Sequence, residues 1–144
     1  MKIIHFYWSK PSQQQNDTLE ENRHNGGWLS MQYHCMSWAL SCLKFKQFYR
    51  DVELHTDQKG KGLLIDTLGL PYSKVYVCLD EMNYLPIQMW ALPKIFTYSL
   101  QHEPFIHADG DVYIWEKFNP QFEQVPLISQ HLENNFTYYK DASI

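Results

Sequence analysis

The chain has 144 residues, with 12 basic and 16 acidic side chains and a formal charge of −4. That length suits one compact domain with a real core. The acidic balance argues against generic binding to nucleic acid or to an anionic membrane.

No apolar run reaches the roughly 20 residues that a membrane span needs. The opening residues 1–8 lack the small-residue cleavage site of a signal peptide. Cys35, Cys42 and Cys78 form no CxxC pair and read as small buried hydrophobes of a reducing compartment. A cytoplasmic location is therefore expected. Aromatic residues reach 16%, which suits a core and also a site that stacks bases or sugars.

In chain order, residues 2–8 read as a buried strand, followed by a long polar loop over residues 9–27 that holds Pro11 and Gly26-Gly27. Ser30 is placed to cap a helix in which Met36, Leu40 and Leu43 recur at i, i+4, i+7 beside Cys35, Ala39 and Cys42. Lys44, Lys46 and Arg50 near its end suit the helix dipole. Residues 52–56 form a second strand ending at Asp57. Gly60 and Gly62 lead into a helix with Leu63, Leu64 and Leu68, stopped by Gly69 and Pro71. Val75, Val77 and Leu79 alternate as a third strand ending at Asp80, and a helical stretch runs to about Gln101, with Pro93 in its first turn or at a kink. Residues 105–108 form a fourth strand. The alternation of Val112 and Ile114 predicts a fifth directly after it, and a further strand is possible around residues 125–129.

Strand and helix thus alternate about three times, which predicts an α/β fold with a mostly parallel sheet and flanking helices. Ligands of open α/β sheets bind beyond the carboxyl ends of the strands, where Trp8, Asp57, Asp80 and Asp109 all fall. The sharpest motif there is Asp109-Gly110-Asp111. Two carboxylates flanking a glycine supply hard oxygen donors for Mn²⁺ or Mg²⁺, with substrate phosphates completing the shell. Gly110 lets the ligand approach the backbone. The plainer reading is a polar turn. Asp57 suits a helix cap as well as a ligand, Asp80 suits a solvated turn, and His34 and His107 suit satisfied core histidines.

In sequence, the chain resembles the nucleotide-sugar-binding half of GT-A-fold glycosyltransferases, chiefly bacterial ones. The likeness rests on residues 3–8, Gly26-Gly27-Trp28, residues 53–57, Trp90-Ala91-Leu92 leading to Lys94, and residues 104–112 with the DxD motif. The resemblance implies a Rossmann-like donor domain over residues 1–118, with residues 119–144 beginning an acceptor-side region that looks truncated. It also implies a metal-dependent transfer of sugar from a nucleoside-diphosphate sugar, a UDP-sugar above all, to a saccharide or other acceptor.

In that scheme Asp111 is the main metal ligand and Asp109 contacts metal, ribose or sugar. Tyr7 or Trp8 stacks on the base, Asp57 meets base or ribose, and Lys94 reaches phosphate or sugar. Of later residues only His131 and Glu133 offer acid–base groups. The alternatives are a catalytically inactive nucleotide-sugar-binding or interaction domain, able to self-associate through an uncovered apolar face, and a phosphatase whose nucleophile is the first Asp of DGD.

Overall fold

The computed structural model describes residues 1–13 and 28–129. The elements are β1 (Lys2–Tyr7), α1 (Met31–Phe48), β2 (Val52–Thr56), α2 (Gln58–Lys61), β3 (Lys74–Val77), α3 (Ala91–Ser99) and β4 (Phe105–Ala108). α2 runs on into a π-helical stretch, Gly62–Thr67, and short 3₁₀ turns occupy Lys10–Gln13, Asp80–Tyr84, Ile87–Met89 and Pro120–Gln124.

The sheet has the order β3-β2-β1-β4, and every pairing is parallel. Ile3 stands between Val52 on one side and Ile106 on the other. β1 and β2 are buried along nearly their whole length, as parallel strands covered on both faces must be. One face packs Ile3, Val52 and Ala108 against Phe45 and Tyr49, and Tyr7 and Leu54 against Trp38, Cys42 and Leu64. The other face packs Phe6 and Trp8 with Leu79, Leu85 and, from α3, Phe96. Each such large apolar side chain contributes about 1.5–3 kcal/mol when fully buried.

The chain steps outward from β1 to β2 to β3, then returns to lay β4 on the free side of β1. The strand order therefore reverses between β1 and β4, the point at which the ends of an open α/β sheet part to form a crevice.

Four expectations change. α1 buries His34, Ser37, Trp38, Ser41, Cys42 and Phe45, while Met36, Leu40 and Leu43 face outward. Both stripes have helical spacing, and the bulk of Trp38 and Phe45 wins the core. The second helix begins at Gln58, capped by Asp57, so its glycines lie within it. Among the described residues no strand follows β4. Val112 N donates back to Asp109 O at 3.1 Å, while Ser37 and Ser41 donate to the carbonyls of Gly110 and Val112 at 2.8 and 2.7 Å. These backbone groups are satisfied without a ladder. Residues 125–129 form no strand either. Gly26, Gly27, His131 and Glu133 lie outside the described residues.

Candidate functional site

The crevice at the switch point is built on residues 109–112, which turn directly off β4. Gly110 sits against the Trp38 indole so closely that a Cβ there would overlap the ring. Hydroxyls from α1 hold the turn from below: Ser37, which also meets Tyr113 Oη at 2.7 Å, and Ser41. Beneath them the fully buried His5 links Tyr72 Oη (2.8 Å from Nδ1) to Ser41 Oγ (3.4 Å from Nε2). Burial, aided by the neighbouring His107, whose protonation would compete with its own, pushes His5 down to about 3, against a smaller opposing pull from Asp109.

On the open side, Lys94 from the first turn of α3 reaches Asp109 Oδ1 at 2.8 Å. Pro93 belongs to that first turn, where a proline fits, so the helix is not broken ahead of the lysine. The Lys94 ammonium lies 5.4 Å from the Trp90 ring and 5.9 Å from that of Phe6. Its side chain is only 18% exposed, whereas that of Asp109 is 50% exposed.

His107 Nε2 lies 3.5 Å from the same carboxylate oxygen, within ion-pair range, yet this buried nitrogen has no hydrogen-bond partner. It is therefore not the satisfied core histidine expected from its strand position. Burial brings His107 down to about 4, with Asp109 opposing and Lys94 reinforcing that shift, so the ring is neutral near pH 7. Asp111 is exposed and makes no hydrogen bond or ion pair with any described residue.

The other candidates are spent differently. Tyr7 is buried edge-on to Trp38, with ring centroids 5.0 Å apart, and Trp8 is buried with Nε1 donating to Asn83 Oδ1 at 3.0 Å. Asp57, also buried, accepts from Gly60 N at 2.7 Å as the cap of α2, and from Ser9 N and Oγ at 2.9 and 2.7 Å. Its carboxylate thus ties the end of β2 to the end of β1. Asp80 is exposed in the turn Asp80–Tyr84, as expected of a solvated turn residue, and both its oxygens accept from Gln58 N.

The structure brings Lys94 and Asp109 together at the crevice, where Asp111 shares the same short turn. Tyr7, Trp8 and Asp57 are not brought to that turn as free groups but are buried and bonded at the ends of β1 and β2. Sequence reasoning missed Ser37, Ser41, His5 and Trp38. The serines sit at i and i+4 on the buried face of α1, a polar pair among large apolar residues, and that was their available signal.

Among the described residues, no group of three or more His, Cys, Asp or Glu side chains gathers into a metal cage. The turn offers two carboxylates, one unspent and one neutralised by Lys94. Such a pair fits a hard divalent cation only in the mode where substrate phosphates and water fill the remaining positions. Sequence comparison decides the family. The chain belongs to DUF6734, a family of unknown function, whose profile matches residues 1–143. No curated protein and no solved structure matches the chain.

Proposed function

We propose that this DUF6734 protein binds a nucleoside-diphosphate sugar, a UDP-sugar above all, at the β1/β4 crevice and acts as a metal-dependent glycosyltransferase of Rossmann-like GT-A type or as its donor-binding half. The observation that carries the reading is the unspent, exposed carboxylate of Asp111. It lies on a turn clamped to α1 and beside the Lys94–Asp109 ion pair.

Asp111 and Asp109 would hold Mn²⁺ or Mg²⁺. When bound, such a cation supplies Lewis-acid stabilisation of the charge that builds on a departing diphosphate. Lys94 can share its charge between Asp109 and an incoming phosphate, because a flexible ammonium donates in several directions. The clamped turn already presents the Asp111 carboxylate outward, which is what electrostatic preorganisation requires.

The test is the thermal stability of wild type and Asp111→Ala against nucleoside diphosphates and UDP- or GDP-sugars, with and without Mn²⁺. Ligand at 100 times its dissociation constant should stabilise wild type by about 2.7 kcal/mol. Asp111→Ala should melt like wild type without ligand and should lose that gain. If no nucleotide shifts wild type, with or without metal, the reading fails. Release of free sugar from a bound donor, followed by NMR, separates an enzyme from a module that only binds.

A further inference from the structure

Tyr7 and Trp8, the rings expected to stack on a ligand, are both buried, and the Trp8 indole nitrogen is spent on Asn83. Another indole borders the site. Trp90, the residue before α3, is 41% exposed. The Lys94 ammonium lies over its ring at 5.4 Å, and the same ammonium reaches Asp109 Oδ1 at 2.8 Å. Among the described residues, no other exposed aromatic residue pairs with Lys94, Asp109 or Asp111.

The backbone beneath this ring is already ordered. Trp90 N donates to Ile87 O at 3.0 Å, and the residue has helical dihedrals. Its indole N–H makes no hydrogen bond with any described residue, unlike that of Trp8. Trp90 therefore offers an apolar face and an unspent donor beside a cation and a carboxylate. A sugar ring matches that set: its C–H face packs on an aromatic plane, and its hydroxyls take donors and acceptors at the rim.

Connectivity favours the sugar over the base as the group that meets Trp90. In a nucleoside-diphosphate sugar, the sugar is one oxygen away from its phosphate. The base is separated from both phosphates by the ribose. A phosphate held by Lys94 leaves its sugar within reach of a ring that lies 5.4 Å from that ammonium. We propose that Trp90 is the platform on which the donor's sugar ring stacks, and so a residue that selects nucleotide sugars over the bare nucleotide. The inference rests on the nucleotide-sugar reading above and deepens it.

The experiment is calorimetric titration of the full chain with UDP, UDP-glucose and UDP-N-acetylglucosamine, each with Mn²⁺. Trp90→Ala is expected to lose about tenfold in affinity for the UDP-sugars and less than about twofold for UDP. The retained UDP affinity also shows that the variant is folded. Trp90→Phe, which keeps a ring face, should stay within about threefold of wild type for all three ligands. In saturation-transfer NMR, the sugar protons of bound UDP-glucose should lose their signal in Trp90→Ala while the uracil protons keep theirs. An equal loss for UDP and UDP-sugars would assign Trp90 to the base or to holding Lys94, and overturns the inference. So does a Trp90→Ala protein that binds UDP-sugars as wild type does. A wild type that binds UDP but neither UDP-sugar overturns it as well, because both sugars carry a pyranose face. If wild type binds none of the three, the nucleotide-sugar reading itself fails and takes this inference with it.

Discussion

At Gly110 a side chain would have to enter the space of the Trp38 indole, and the neighbouring carbonyls are already fixed by Ser37 and Ser41. Gly110→Ala should therefore destabilise the fold by about 1–3 kcal/mol, the usual range for overpacking. Urea denaturation followed by tryptophan fluorescence measures this. Asp111→Ala, next in the chain but exposed, should change stability by no more than about 0.5 kcal/mol. The contrast separates the turn's packing from any part it has in binding. The glycine itself was legible in the sequence, but its reason was not. A DGD motif suggests a ligand approaching the backbone, whereas the approaching group in the structure is Trp38, whose place against the turn depends on the fold. The ion pair of Lys94 with Asp109 was hidden for the same reason, since only the packing of α3 on the sheet brings the two together.

Among the elements, α2 depends most on one residue. Asp57 caps it and also holds the Ser9 backbone and hydroxyl, all in a buried setting. Asp57→Ala should cost roughly 2–4 kcal/mol, combining a lost cap with lost charge-assisted bonds. Asp57→Asn, which keeps an acceptor oxygen, should cost clearly less in the same denaturation assay. The central strands were legible because β1 and β2 are buried on both faces and so read as short, largely apolar runs with β-branched residues. The fifth strand failed for a definable reason. Val112 and Ile114 pack on the same core cluster as Ile3 and Phe45, so extended chain lying on a core shows the period of a strand without any hydrogen-bonded neighbour. α1 failed in orientation, because a period fixes the element but cannot choose between two apolar stripes.

For the molecule as a whole, the sheet carries three histidines that burial keeps uncharged. His5 is held down to about 3, and His55 and His107 to about 4. An unfolded histidine titrates near 6.5, so below that pH the unfolded chain takes up protons that the folded one refuses until about pH 4. Stability should thus be complete above about pH 7 and should fall between roughly pH 6.5 and 4, each histidine adding up to about 1.4 kcal/mol per pH unit. Urea midpoints across that range measure the slope, and His107→Gln should flatten it. The strand order bears on how the chain is made. β1 is synthesised first and lies inside the sheet, and its residue 3 pairs with residue 52 on one side but waits for residue 106 on the other. At ribosomal rates, adding that stretch takes on the order of 5–20 s, during which one edge of β1 is bare. Unpaired strand edges recruit other chains. β4 closes that edge as it docks, and it carries the Asp109 turn with it. The nascent protein therefore acquires its crevice in the same step that covers the second edge of its central strand β1.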